Sequence, residues 1–515
     1  MKVLLMHEDR DFDPQATLPA QADTLTQDLE LDTLFDAMAD GDEFLRDVAR
    51  SAILQSLASA KEIVRRQQAL RDCEQHRPAI DMLYKLAVDT LEEERKQMHF
   101  WFHNSASGTL SEGIGVLTRC HERLRALRQI ADAQRQAGFQ SLAFVELFEA
   151  LHTQLDDAYL AEIARHLEEL RFKYGTYASA QLGDGNKSFD WVLHRVPQER
   201  RGFWNHWLMH QPEIHAFDIA PRDEAGGNAL EAVRNRALDV AAQAVGQAAR
   251  QVLAFFSQLR IELAFYQGAL NLKDALQAHG MTMCYPEPSA SAGHSYEAED
   301  LYDPCLCLTK QAAVSGNDVA ARGIDLIFVT GANQGGKSTF LRSMGVAQLL
   351  LQAGLYAPAK TLAADPCSGL FTHYKREEDT HMESGKFDEE LVRMDAIVDH
   401  ITPGGMMLFN ESFAATNEHE GADIAAEIIE VLLEKRVKVV FVTHFYELPL
   451  HFATPAHDNI LFLAAERAED GTRSHRIRPG EPPRTAYGRD LYARIFEKSA
   501  TPTVYRPHGP TRPAS

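Results

Sequence analysis

Gly331-Ala332-Asn333-Gln334-Gly335-Gly336-Lys337-Ser338-Thr339 is the stretch whose reading decides the fold of the C-terminal half of this chain. The apolar run Ile324-Asp325-Leu326-Ile327-Phe328-Val329 before it reads as a buried strand, and a helical pattern ending near Gly354 follows it. Strand, glycine loop and helix make a phosphate cradle. The glycines let the backbone curl so that successive N–H groups point inward, and the helix N-terminus adds the positive end of its dipole. In such a cradle Lys337 reaches the β- and γ-phosphates and the Ser338 hydroxyl sits on Mg²⁺. The alternative is a glycine-rich turn with no ligand. It is disfavoured because the specified positions fall at fixed spacing between the correct flanking elements.

The chain has 515 residues, enough for two to four domains with their own cores. Apolar residues make up 45% and charged residues 24%, the balance of an ordinary globular protein. The formal net charge of −22 argues against non-specific attraction of the whole molecule to nucleic acid or to an anionic membrane, so any such contact needs a local basic surface. The six cysteines are scattered, and Cys305-x-Cys307 lacks a second ligand pair at zinc spacing. Reduced thiols and a cytoplasmic location are therefore expected. No run of eighteen apolar residues exists, and Met1-Lys2-Val3-Leu4-Leu5-Met6 turns acidic at Glu8, Asp9 and Asp11, which fits neither a signal peptide nor a membrane span.

Residues 1–29, acidic and with Pro14 and Pro19, read as a partly disordered lead-in. From residue 30 to 285 the pattern is helical. Leu31, Leu34, Phe35 and Met38 recur at helical spacing, as do Phe44, Leu45, Val48 and Ala49. Long helices are expected over Ile80–Phe102, Ser111–Gly138 and Phe144–Tyr174, and one or two more from Leu230 to His279 with Phe255, Phe256, Leu259, Leu263, Phe265 and Tyr266 as an apolar stripe. A small β insertion interrupts them at about 173–225, where Tyr177–Leu182 and Phe189–Leu193 read as a hairpin turned at Gly183-Asp184-Gly185-Asn186. After it, Arg195, Arg200 and Arg201 lie close in sequence to Trp204, His206, Trp207 and His210, a mixture that could grip a phosphate backbone. Tryptophans packed back on the helices is the favoured reading, since three arginines on an acidic protein are a thin footprint. Pro286, Pro288 and the serines up to Ser295 mark the next boundary.

A second apolar strand, Met406-Met407-Leu408-Phe409-Asn410, ends in Glu411. Asn410 stands where a magnesium-supporting aspartate is usual; it can hold a metal-bound water through its amide but adds no charge. Glu411 is placed to polarise an attacking water, the alternative being a solvated strand-end carboxylate. A third strand, Val437–Thr443, presents His444 at its end, where a histidine can sense the γ-phosphate or serve only as a polar cap. Ile460–Leu463 and His475–Arg478 read as a terminal hairpin, Arg489–Lys498 as a closing helix, and residues 501–515 as a flexible tail.

Gly331–Thr339, Asn410-Glu411, Thr416-Asn417, Gly421 and Thr443-His444-Phe445-Tyr446-Glu447-Leu448 together resemble the ATPase domain of the MutS mismatch-repair family. Tyr487-Gly488 resembles that family's last serine-tyrosine-glycine segment, with Ala486 in the serine place. Ile63-Val64-Arg65-Arg66-Gln67 and Leu259–Pro286 are similar to its helical core and lever. The resemblance implies an α/β ABC-type P-loop ATPase domain over 286–500, preceded by an all-α core and lever domain over 30–285. It implies ATP and Mg²⁺ as ligands, with Gly331, Asn333, Gly335, Gly336, Lys337, Ser338 and Thr339 cradling the nucleotide and Ser338 and Asn410 (via water) serving the metal. Glu411 and His444 become the catalytic pair, and head-to-tail sharing implies a homodimer that couples nucleotide state to DNA. The expected departures are a missing mismatch-reading wedge and connector and a signature segment reduced to Ser384-Gly385-Lys386-Phe387 with Glu390. Asn410 and Phe413-Ala414-Ala415, where the family carries other residues, would slow hydrolysis. A nucleotide-switched scaffold acting on a protein partner is the alternative function. A small-molecule kinase is a weaker third, since no acceptor site or lid is evident and the helical half has no job in it.

Overall fold

The computed structural model describes residues 1–98, 105–173, 175–195, 215–289, 294–331, 334–376, 385–453, 458–467 and 473–480. Arg200, Arg201, Trp204, His206, Trp207, His210, Asn333, Ser384, the Ala486–Gly488 segment, the helix expected over Arg489–Lys498 and the tail from 501 lie outside the described residues. Contacts divide the chain into two compact units, Met1–Phe12 with Arg71–Tyr266 and Asp13–Leu70 with Gln267–Ser515. The chain is mixed α/β with a helical N-terminal half.

Helices α1 (Ala22–Asp28), α2 (Leu31–Ala39) and α3 (Glu43–Leu54) come first. α2 buries Leu31, Leu34, Phe35 and Met38, the residues its 3.6-residue spacing aligns on one face. α3 begins where Asp42, in extended backbone, accepts from the Phe44 N–H at 2.8 Å. α4 (Ala60–Gln75), α5 (Arg77–Met98) and α6 (Ala106–Gln134) follow. The single helix expected over Phe144–Tyr174 is two, α7 (Leu142–Gln154) and α8 (Asp157–Glu169). Asp156 breaks it: its backbone is extended and its carboxylate accepts from the Tyr159 N–H at 2.7 Å, capping a new helix in competition with continuing the old one. The hairpin is β1 (Tyr177–Leu182) paired antiparallel with β2 (Ser188–His194), turned through Gly185 at φ +69. α9 (Glu224–Ala278) is one helix and stops before Gly280 at φ +76.

In the unit that holds residues 1–12 and 71–266, Glu262 is fully buried, and its carboxylate accepts from the N–H groups of Leu5 (2.6 Å), Met6 (2.9 Å) and Phe12 (3.0 Å). Burial pushes its pKa up while these donors pull it down. Tyr266 donates its hydroxyl to Leu5 O at 2.8 Å, and Val3, Leu5, Met6 and Phe12 are buried. The segment expected as a partly disordered lead-in is thus packed at its start. Its partner carboxylate lies 250 residues away from Phe12, so no local pattern announces the contact.

The second unit is built on two sheets. β3 (Glu287–Pro288), β4 (Tyr296–Leu301), β5 (Asn317–Ala321) and β7 (Thr361–Ala364) form a four-stranded sheet in the order β3-β7-β4-β5. Short α10 (Pro304–Lys310) links β4 to β5. The sequence reading passed over this sheet, because its strands are short, rich in alanine and acids, and poor in the β-branched residues that signal strands. β6 (Leu326–Thr330) is followed by α11 (Lys337–Ala353), β8 (Leu370–Tyr374) by α12 (Lys386–Val398), β9 (Met406–Asn410) by α13 (Glu418–Glu434), and β10 (Lys438–Val442) by α14 (Glu447–Ala453). With β11 (Ile460–Arg467) and β12 (Arg473–Pro479) these strands make a six-stranded sheet ordered β12-β11-β6-β10-β9-β8. All neighbours are parallel except the expected terminal hairpin β11/β12.

On one face of this sheet Phe328, Met407, Phe409, Val439 and Phe441 pack against Ala425, Ile429 and Leu432 of α13. On the other runs α11, nearly every residue of which is buried. A Cβ on Gly345 would stand 2.8 Å from Leu408 and 2.9 Å from Leu29, so the segment before α2 closes on α11 from outside. Leu57 N–H donates to Gln352 O at 2.9 Å and Gln352 returns a bond to Leu57 O at 3.0 Å. Residues 13–70 therefore share the core of the nucleotide-loop half. Amphipathic spacing says that a helix covers something; it does not say what.

Candidate functional site

The carboxyl ends of β6, β10 and β9 lie side by side, with Val442 in register with Val329 on one side and Asn410 on the other. Everything that follows these strands must emerge at one edge of the sheet, the place where open α/β sheets bind ligands. The loop after β6 leaves through Gly331 at φ +114, and α11 begins after Gly336 at φ +93, both in the left-handed region that favours glycine. A Cβ on Gly331 would also stand 3.0 Å from Ala465 of β11. Lys337 is 4% exposed and donates from Nζ to Gly331 O at 2.9 Å, so its ammonium is folded back over the mouth of the loop.

Ser338 Oγ donates to Asn410 Oδ1 at 2.9 Å, joining the first turn of α11 to the end of β9 across 72 residues of sequence. Glu411 takes φ +52 and donates its N–H to Val442 O at 2.9 Å. A cavity of about 380 Å³ opens here, within the range of small-ligand sites. Gly335, Gly336, Lys337, Ser338, Thr339 and Glu411 line one side of it. The fold thus brings these sequence-selected residues together, with Asn410 bonded to the same wall through Ser338. His444 lies two residues past the end of β10, is exposed, and is not part of that lining.

The other wall was not foreseen. It comes from Leu306 and Lys310 of α10, Val314 and Ser315 of the following loop, Asn317 of β5, and His475 of β12. Asn317 Oδ1 accepts from the Ile477 N–H at 2.7 Å and Gly316 O accepts from Arg476, which tie β5 to β12 beside the cavity. None of these residues belongs to a motif, and only the pairing of distant strands assembles them. Asp303, also in the cavity lining, is 2% exposed and holds Arg342 at 2.5 Å, and Arg342 also pairs with Glu30.

Among the described residues no group of three or more His, Cys, Asp or Glu could hold a metal ion. Among the oxygens that line the cavity are the Ser338 hydroxyl, bonded to the Asn410 amide, and the Glu411 carboxylate. That donor set suits Mg²⁺, which keeps several waters and relies on few protein ligands plus phosphate oxygens.

Behind Glu411, Ser412 is 1% exposed and His373 is fully buried. Burial, and after it the charge of Arg393, push the His373 pKa down from 6.5 to about 4. An unfolded chain takes up this proton below pH 6.5 and the folded one refuses it until about pH 4, so stability falls as pH drops through that window. The loss attributable to His373 is about 2 kcal/mol by pH 5. Urea unfolding at pH 7 and pH 5 should show a smaller drop for His373→Asn than for the unaltered protein, and equal drops would refute the assignment.

No helix among the described residues is long and apolar enough to cross a membrane. Compared with known proteins, residues 58–279 match the MutS2 N-terminal domain and residues 327–495 match MutS domain V. The DNA mismatch repair protein MutS of Microcystis aeruginosa is 25% identical over 395 residues, covering 69% of this chain and 43% of that protein. The DNA mismatch repair protein MutS of Thermus aquaticus is 30% identical over 169 residues, 33% of this chain and 21% of its own length. MutS protein homolog 4 of Mus musculus is 28% identical over 159 residues, 31% and 16%. The chain spans less than half the length of these relatives. These two domain matches, which together cover most of the chain, and the cradle and acid-ended strand inside the second, place the chain in the MutS family.

Proposed function

We propose that this chain binds and hydrolyses ATP with Mg²⁺ on an ABC-type P-loop ATPase domain, and that as a homodimer it couples nucleotide state to DNA binding. The observation that carries the reading is the Ser338–Asn410 bond at 2.9 Å, which sets the cradle hydroxyl against the strand that ends in Glu411. Lys337 exchanges its bond to Gly331 O for β- and γ-phosphate oxygens, and the inward N–H groups of Gly335 to Ser338 hold the rest. Ser338, and Asn410 through a water, would hold Mg²⁺, which would neutralise phosphate charge there. Glu411 orients a water and takes its proton as the water oxygen bonds the γ-phosphorus and the bond to the bridging oxygen breaks. His444, at the same sheet edge, senses the γ-phosphate.

The facing subunit closes the nucleotide from the other side across a two-fold axis. DNA is the proposed partner because the Microcystis aeruginosa relative, which covers 69% of this chain, is named as a DNA mismatch repair protein, and the acidic bulk confines that contact to a local basic surface. The six cysteines are unpaired thiols, in keeping with a cytoplasmic location. The test is ATP hydrolysis by the whole protein, alone and with duplex, branched and single-stranded DNA at two salt concentrations. A rate that rises with one DNA form, and DNA binding that weakens steeply with salt, are the expected results. A rate indifferent to every DNA removes the DNA part of the proposal, and no hydrolysis at all removes the enzymatic part.

A further inference from the structure

The turn that carries Glu411 is held by a buried pair outside the nucleotide cavity. Glu411 at φ +52 and Phe413 at φ +62 both sit in the backbone region that L side chains rarely adopt, on either side of Ser412. Such a turn persists only where its surroundings over-determine it. Ser412 Oγ lies 2.8 Å from His373 Nδ1 and 2.5 Å from His373 O. His373 Nε2 lies 3.0 Å from Glu390 O in α12. The Phe413 ring stacks on the imidazole, with centroids 5.3 Å apart and planes at 15°.

Hydrogen counting fixes the roles. A carbonyl only accepts, so Nε2 carries the hydrogen and donates to Glu390 O. In a neutral ring Nδ1 is then an acceptor, and the Ser412 hydroxyl, with one hydrogen, has two acceptors within reach. We infer that His373 and Ser412 are positioning residues for Glu411: they clamp the Glu411–Phe413 turn to β8 and tie it to α12, so that a displacement of α12 reaches the carboxylate. α12 begins at Lys386, directly after the N-cap Gly385. The histidine therefore links that helix to the hydrolytic carboxylate within one subunit, and this inference rests on the ATPase reading above.

The test is steady-state ATP hydrolysis and equilibrium ATP binding by the whole protein carrying Ser412→Ala. The substitution removes one hydroxyl from a site 1% exposed and leaves the cradle intact. The expected result is a kcat lower by about 10- to 100-fold, the scale of a carboxylate held slightly out of place, with KM, ATP affinity and melting temperature near those of the unaltered protein. A packing defect alone would lower affinity and melting temperature together. Should Ser412→Ala fail to fold, His373→Asn, which retains an amide near Ser412 but gives up the Glu390 bond, is expected to show the same selective loss of kcat. An unchanged kcat in a variant that folds overturns the positioning role and leaves the ATPase reading standing. Absence of hydrolysis by the unaltered protein overturns both.

Discussion

Lys337→Ala removes ATP binding: affinity for Mg·ATP falls on the order of 10²- to 10⁴-fold, because two charge-assisted bonds of about 1.5–3 kcal/mol each are lost from the cradle. The ammonium is 4% exposed and already directed at the loop by its bond to Gly331 O, so little side-chain ordering remains to be paid for on binding. Loss of hydrolysis follows from loss of binding, and assembly that depends on nucleotide should disappear with it. Calorimetric titration with Mg·ATP checks the affinity, and light scattering with and without ATP checks the assembly. A variant that binds within threefold of the unaltered protein would remove Lys337 from the site.

Glu411→Gln has the opposite signature. ATP still binds, since the amide preserves shape and the cradle is untouched, while kcat falls by about 10²- to 10⁴-fold, the usual worth of a positioned general base. The backbone of Glu411 is held by its N–H bond to Val442 O and by the turn behind it, so the substituted side chain occupies the same place. The comparison with Lys337→Ala separates binding from chemistry within one pocket. Equal kcat in the Gln variant would show that another group orients the water, and His444, exposed at the end of β10, would be the next to replace. The neutral Asn410 bears on the same experiment. It bonds Ser338 but adds no charge to the metal shell, which fits a slow basal rate against which a large loss is harder to resolve.

How much of this was legible in the chain depends on how far each feature reaches. The cradle, the acid-ended strand and the histidine-ended strand are each written within about a dozen residues and each hairpin within about twenty, because turn chemistry and strand alternation act between neighbours. The helix break at Asp156 was local too, yet it was missed, since an aspartate inside an amphipathic pattern looks like one more solvated residue until its backbone turns extended.

The four-stranded sheet, the anchoring of Leu5, Met6 and Phe12 on Glu262, and the His373–Ser412 clamp were not legible. The clamp joins ordinary residue types across 39 positions, the pairing of β3 and β4 with β7 across 62 to 76, and the Glu262 anchor across 250 to 257, separations over which a sequence leaves no pattern to count.

The opening loop marks the same division. By itself the sequence determined that a glycine loop of the phosphate-cradle type stands between a strand and a helix and that a strand ending in Asn410-Glu411 belongs beside it, because backbone freedom and donor chemistry reside in the residues themselves. Only the tertiary structure decided that Ser338 meets Asn410 across the sheet edge and that α10 and His475 face the cradle. It also decided that residues 13–70 share the core beneath it. Those choices belong to packing, where the register of parallel strands and the fit of distant apolar faces settle what local chemistry leaves open.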